Sequence, residues 1–433
     1  MEWWAILILV FFVLLILMLV GIPIAYTLGT LALVLGLILV GPKILYLFGT
    51  LAYGKIDSFA MVAVPLFILM AEIVLVSGAA QDAFDMLSKW IGRAPGGLAI
   101  ASQLGCTLFA AVCGASTATT AVIGGMAVPE MLKRGYDKRM ATGSIAAGGA
   151  LGVLIPPSLL LIIYGIATET SIGQLFIAGV IPGLMLAFMR IVYFLIRCTI
   201  DPSLGPAIKG ISWRARFNSF WKILPLTGLA VFMIVALYTG ICTPTEVAGA
   251  GTLASLVIAF AYRRMTWLKL KEALSRTTLT TCFIVWIIVS ATSFGYVLAY
   301  AGLPQKLVAW TAGLEVSPFV IIVIINLLLF VLGCIMDPAG ILMVTIPIFA
   351  PLMTALGFDL VWFGIMFVVN MELAEITPPL GLNLYVMKSV SPPEVTMNDI
   401  IIGSIPFMIL DIVGVALVVI FPALVLWLPS TMM

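Results

Sequence analysis

The sequence predicts an all-α polytopic membrane protein built as an inverted-topology repeat with two re-entrant helical hairpins. Composition, the spread of apolar runs, and motifs that recur at a near-constant offset predict this fold class. Of 433 residues, 63% are apolar and 9% charged, and the mean hydropathy is +1.25. An average soluble domain is about 45–50% apolar and about 25% charged. Too little polar surface remains to cover a globule, and the chain is far too apolar for disorder.

The charges exclude several functions. Lys and Arg number 21 and Asp and Glu 19, a net of +2. That leaves no basic field for nucleic acid. There is no histidine, so histidine general bases, His–zinc sites and His-based triads are excluded. The six cysteines, Cys106, Cys113, Cys198, Cys242, Cys282 and Cys334, form no C-x-x-C pair and read as small hydrophobes. No G-x-x-x-x-G-K-[ST] is present, and the loops are too short for a nucleotide domain. Neither an enzyme nor an ATP-driven pump is expected.

A spanning helix needs about 20 apolar residues. Spans are expected near 3–20, 24–40, 59–80, 141–167, 175–197, 223–240, 246–262, 277–300, 360–387 and 400–427. The N-terminus has no basic n-region, so no cleaved signal is expected. Trp3 and Trp4 read as an interfacial anchor. Eighteen of the 21 basic residues fall in 81–96, 130–140, 190–222, 263–276 and at Lys388. Placing them in the cytoplasm puts both termini outside. Segment 198–222, with Trp213, Trp221, Lys209, Arg214, Arg216 and Lys222, reads as an amphipathic connector on the cytoplasmic surface.

On that orientation, 81–96 and 130–140 lie on one side, with the 33 apolar residues 97–129 between them. Folded in two, they give arms of about 15 residues and about 22 Å, short of the roughly 30 Å hydrocarbon core. The stretch therefore reads as a hairpin that turns inside the membrane at Cys113-Gly114-Ala115-Ser116-Thr117-Ala118-Thr119-Thr120. Irregular backbone at that depth needs protein or a water-filled cavity around it.

The halves match. Gly179 and Pro182 align with Gly403 and Pro406 at offset 224, Pro156-Pro157 with Pro378-Pro379 at 222, Gly114 with Gly333 at 219, and Pro23 with Pro244 at 221. Each copy makes five crossings, so the second is inverted. Segment 318–357 then forms a second hairpin, entering from outside and turning at Gly333–Gly340. Paired prolines must also break spans 141–167 and 360–387, because they remove donors and clash with the preceding turn. Broken helices offer carbonyls to a small cation and N–H groups to an anion, near the midplane between repeats. The two tips and two breaks are expected to meet at one centre.

Ionisable groups at membrane depth are functional candidates. Asp337, at the second tip, is expected to contribute to a cation site. Glu372 and Glu375 precede the second break, as ligands or as partners of loosened backbone. Glu72 and Asp411 read as structural or near-interface residues. Arg190 is a candidate anion partner but reads rather as snorkelling to the cytoplasmic face. Ser116, Thr117 and Thr119 offer hydroxyl oxygens to a hard cation such as sodium. The absence of histidine argues against a histidine proton relay and for sodium. The candidate cation set is Gly114, Ser116, Thr117, Thr119, Gly333, Met336, Asp337 and Thr377. The candidate substrate set is Ala115, Pro156, Pro157, Ser158, Pro378, Pro379 and Asn383.

These motifs carry a resemblance. Pro65-Leu66-Phe67-Ile68-Leu69-Met70, Gly114 to Thr119, Ala146-Ala147-Gly148-Gly149 through Ile155-Pro156-Pro157-Ser158, Ala178 to Gly183, Pro244-Thr245-Glu246-Val247-Ala248 and Ile376-Thr377-Pro378-Pro379-Leu380-Gly381-Leu382-Asn383 resemble the large membrane subunit of tripartite ATP-independent periplasmic (TRAP) transporters over essentially the whole chain. The chain departs at Ala115, where family members often have serine. The resemblance implies sodium-coupled uptake of a small organic anion, such as a C4-dicarboxylate or sialic acid, across the bacterial inner membrane. It implies a periplasmic substrate-binding protein and a small four-helix membrane subunit, expected as a separate polypeptide, with membrane lipid around both. No cofactor beyond Na+ as coupling ion is expected. Family members are similar to elevator transporters. On that pattern 1–96 and 223–317 are scaffold, 97–197 and 318–433 carry the hairpins and move, and 198–222 connects the repeats. The residues alone leave open a stand-alone cation-coupled carrier or antiporter that needs no binding protein.

Overall fold

The computed structural model describes residues 3–208 and 212–432, so Lys209 of the expected connector lies outside the described residues. The described residues form twenty α-helices and one short 3-10 turn, with no strand. Among the described residues, seven helices are long and apolar enough to cross a membrane.

The first copy runs α1 (Trp3–Leu19), α2 (Ile24–Leu39), α3 (Ile44–Ile56), α4 (Phe59–Ser77) and α5 (Ala79–Ile91). Hairpin 1 follows as α6 (Gly97–Cys113) and α7 (Ser116–Lys133). A broken span, α8 (Lys138–Ala150) and α9 (Leu159–Thr168), leads to α10 (Ile172–Ile200). The second copy runs α11 (Trp213–Tyr238), α12 (Pro244–Ala261), α13 (Trp267–Tyr300) and α14 (Leu303–Ala312). Hairpin 2 is α15 (Pro318–Gly333) and α16 (Pro338–Ala355). The second broken span is α17 (Leu360–Glu375) and α18 (Leu382–Val390), followed by α19 (Met397–Ile420) and α20 (Ala423–Ser430).

Both hairpins and both breaks stand where the motifs put them, but five features differ from expectation. Helix α3 was not expected. Neither were α5 and α14, which lead into the hairpins and are too short to span. The connector is also shorter than 198–222. Helix α10 continues to Ile200, and α11 already starts at Trp213, where the Ser212 hydroxyl accepts from Ala215 N–H at 3.3 Å. The span expected over 400–427 is interrupted at Phe421–Pro422 between α19 and α20, because proline lacks the donor to continue the ladder.

The copies exchange helices. Helix α12 packs along α4, where Thr252 Oγ1 donates to Leu66 O at 2.8 Å, and α2 packs along α13, with the Tyr26 and Trp286 rings 6.0 Å apart. The lead-in helices follow the same exchange. Trp90 of α5 donates through Nε1 to Arg216 O of α11 at 3.1 Å, and Trp310 of α14 meets Trp3 of α1 at 6.2 Å. Such reciprocal packing is what an inverted repeat produces.

The hairpins, broken spans, α10 and α19 form a second group of helices. Within it α8 runs closely along α19, where a Cβ on Gly143 would lie 2.0 Å from Gly403 O. Only glycine lets the two backbones touch at this crossing.

Candidate substrate and cation site

Each hairpin tip is seated on the broken span of its own copy. Helix α6 ends at Gly114 with φ +64°, and a Cβ there would lie 2.2 Å from Pro157 O. The position needs glycine for its backbone and for its space. Pro156 and Pro157 have no N–H, and the donor beyond them, Leu159 N–H, bonds Gly114 O at 3.4 Å. Hairpin 2 repeats the device: Leu380 N–H, just past Pro378-Pro379, bonds Cys334 O at 3.1 Å. A Cβ on Gly333 would lie 2.2 Å from the Ala374 Cβ. Both Pro-Pro bonds are cis.

The two copies meet between hairpin 1 and the second break. Asn383 Nδ2 donates to Ser116 Oγ at 2.7 Å and to Ala146 O of α8 at 3.3 Å, and Ser116 Oγ lies 3.0 Å from Asn383 Oδ1. Both side chains are buried. The Glu375 carboxylate, buried at the end of α17, lies beside the Ser116 hydroxyl and faces Asp337. Tip 1, break 2 and tip 2 therefore adjoin, with break 1 beneath tip 1. A buried serine, amide and carboxylate together with helix-end carbonyls form an oxygen-rich set suited to a hard monovalent cation.

The other candidates are placed as follows. Thr117 is half-buried one residue past Ser116. Thr119 Oγ1 donates to Ala115 O at 2.8 Å. Pro156, Pro157 and Ser158 are buried, and Ser158 caps α9 by accepting from Leu161 N–H at 3.3 Å while its hydroxyl donates to Val153 O. Met336 is buried, and Asp337 caps α16, its Oδ2 accepting from Gly340 N–H at 3.0 Å. Thr377 Oγ1 donates to Leu373 O at 2.6 Å. Pro378 is half-buried and Pro379 exposed.

One expectation for a charged residue fails. Arg190 does not snorkel: it is 0% exposed, and its Nη2 lies 2.6 Å from Asp411 Oδ1 and 3.3 Å from Glu372 Oε2. Asp411 is accordingly a fully buried ion-pair partner, the structural one of the two roles expected of it. Once the two carboxylates are buried, withdrawing the arginine to a headgroup would leave them without a counter-charge, which is costly. Glu72, in contrast, is only partly buried, 3.9 Å from Arg276. Sequence reasoning also missed Thr120, buried without a hydrogen-bond partner against Gly149. Its place in the hydroxyl run of the tip was the available signal.

Exchanged helices, two hairpins seated on broken spans and a polar centre where the copies touch define a multi-pass membrane transport protein. The chain belongs to the family of the tripartite ATP-independent periplasmic transporter DctM component, whose model matches residues 11–424. It is 35% identical over 378 residues to the C4-dicarboxylate TRAP transporter large permease protein DctM of Pseudomonas aeruginosa, covering 86% of this chain and 87% of that one. It is 30% identical over 379 residues to the isethionate TRAP transporter permease protein DctMQ of Oleidesulfovibrio alaskensis, covering 87% of this chain and 59% of that one. Its fold matches the crystal structure of the Alcanivorax borkumensis YdaH transporter with a TM-score of 0.63 at 16% identity, over 92% of this chain and 97% of that one. The protein is a transporter permease and not an enzyme.

Proposed function

We propose that this permease carries a small organic anion into the bacterial cytoplasm, coupled to sodium. The observation that carries this reading is the junction of Ser116, Asn383 and Glu375, where polar atoms of both copies meet among helix ends. Sodium is held by the tip and break oxygens around Ser116 and by those around Asp337. The substrate carboxylate meets the half-helix starting at α18 and the Asn383 amide. C4-dicarboxylates are the first candidates, because a curated relative named for them is 35% identical; sialic acid is a second. The substrate arrives on a periplasmic binding protein, and a small four-helix subunit packs against the permease. The DctMQ relative, of which this chain covers 59%, supports the second partner.

The basic loops face the cytoplasm of the inner membrane and both termini face the periplasm, by the positive-inside rule. Movement is of the elevator kind: the hairpins, broken spans, α10 and α19 slide against α1–α4 and α11–α13. Uptake of labelled succinate and of labelled sialic acid by the reconstituted permease, with both partners, tests the reading. Uptake is expected only with an inward sodium gradient. An equal rate in sodium-free buffer removes sodium coupling, and uptake by the permease without any soluble partner favours a stand-alone carrier.

A further inference from the structure

Behind the two breaks lies a polar cluster that the transport reading does not use. Arg190 of α10, Glu372 of α17 and Asp411 of α19 are each 0% exposed. Arg190 Nη1 donates to Ala147 O of α8 at 2.7 Å, and Nη2 donates to Asp411 Oδ1 at 2.6 Å and toward Glu372 Oε2 at 3.3 Å. One guanidinium thus ties together four helices from both copies.

The charges do not balance. The guanidinium carries one positive charge, and two ionised carboxylates would carry two negative ones. Each carboxylate is engaged through one oxygen only. Glu372 Oε1 and Asp411 Oδ2 are buried without a donor, and although Arg190 Nε also lacks a partner, neither turns to it. Arg190 is the cation that acts on both acids, and Glu375, a third buried carboxyl, lies one turn further along α17. The remaining titratable group facing Arg190 is the Cys106 thiol of α6. Helix α8 contributes only its carbonyl. Removing one partner of a buried ion pair costs several kcal/mol because a lone buried charge is left, and an unpaired carboxylate here has the same status. A protonated carboxyl is neutral and keeps one acceptor.

We propose that this cluster holds one resident proton, on Glu372, so that Arg190 and Asp411 form a neutral pair within an uncharged clamp. Glu372 is the carrier because its contact with the guanidinium is the longer of the two. The proton is exchanged within the cluster: when Asp411 loses its charge, Glu372 ionises and replaces it. The clamp fixes the two broken spans relative to each other without adding charge to the moving helices.

Infrared difference spectroscopy of the whole permease in lipid nanodiscs tests this. At neutral pH the wild type should show a carboxylic-acid C=O band that E372Q removes. The same band should vanish in D411N, although Glu372 is still present, because Glu372 then ionises to pair with Arg190. Size-exclusion profiles give a second readout. E372Q and D411N should each elute as monodisperse protein, and the double variant, which strands the buried guanidinium, should not. A wild-type band unaltered in E372Q, a band that persists in D411N, or a double variant as well behaved as the singles each overturns the proposal. None of these readouts depends on substrate or sodium, so their failure leaves the transport reading untouched.

Discussion

The two hairpins hold equivalent places in the repeat but are covered differently. In hairpin 2 the returning arm α16 lies against α13, α14 and α9, with Pro347 tight against Gly295: a Cβ on Gly295 would lie 3.0 Å from the proline Cβ. Its tip also approaches α2, since a Cβ on Gly340 would lie 3.4 Å from the Ile24 Cγ1. In hairpin 1 the returning arm α7 leaves Thr117, Ala118, Ala121 and Val122 half-buried and Gly125 exposed. Beside it opens a cavity of about 810 Å³ toward α5, lined by Asp82, Asp85, Lys89, Glu130 and Arg134. The breaks differ in turn: the first is buried, whereas the second exposes Pro379. The corresponding units of the two copies are thus covered by different helices. On the elevator reading, hairpin 2 is closed against the scaffold and the charged crevice on the basic side is the open one.

The largest expected effect attacks hairpin 1 at its turn. Gly114→Val must adopt φ +64° and displace Pro157 O from 2.2 Å, so it should lower stability by about 2 kcal/mol or more and abolish uptake. Thermal melting with an uptake assay checks this. Near-normal uptake would mean that tip 1 is not held where the substrate passes.

Next comes the junction itself. Ser116→Ala and Asn383→Ala should each lower uptake roughly tenfold. Because the two share a hydrogen bond of 2.7 Å, a double-mutant cycle should return a coupling of about 1 kcal/mol. Fully additive losses would separate the roles of hairpin 1 and the second break. Asp337→Ala, at the covered tip, should chiefly raise the sodium concentration for half-maximal uptake. It also removes the α16 cap made to Gly340, worth about 0.5–2 kcal/mol of stability. Sodium titrations of both tip variants sharpen the comparison: equal sodium shifts would make the tips equivalent in cation binding.

The motifs made this comparison partly legible before the structure. Hairpins and breaks were readable because Gly114 and the two Pro-Pro pairs impose backbone geometry that no neighbour can override. The lead-in helices α5 and α14 were not, since they are short and half-polar and take their place from distant helices, α5 from α11 and α14 chiefly from α16. Most opaque was Arg190. Its partners lie 182 and 221 residues away, so nothing local distinguishes a clamp from a snorkelling residue. The same limit applies to Ser116 and Asn383, each readable as polar and misplaced in lipid, but whose contact across 267 residues only the fold supplies.

The smallest expected effect concerns an ion pair that joins α3 to the loop after α9, and so spans the two groups of helices. Lys55 Nζ lies 2.9 Å from Glu169 Oε1, between cavities of about 620 and 790 Å³ that both residues line. The neighbouring ammonium holds the Glu169 carboxyl below its usual range. A depressed carboxyl contributes stability above its unfolded value and loses it as pH falls through the folded one. The carboxylate is 81% exposed, so solvent screening keeps the pair to about 1 kcal/mol or less. Glu169→Gln should therefore lower the melting temperature slightly at neutral pH, and its difference from wild type should shrink to nothing as the pH drops below the ordinary carboxylate range. If the pair also restrains sliding, the variant should gain uptake rate at neutral pH and match the wild type in acid. A rate difference that survives acidification would assign the effect to packing at the cavity wall instead of to charge.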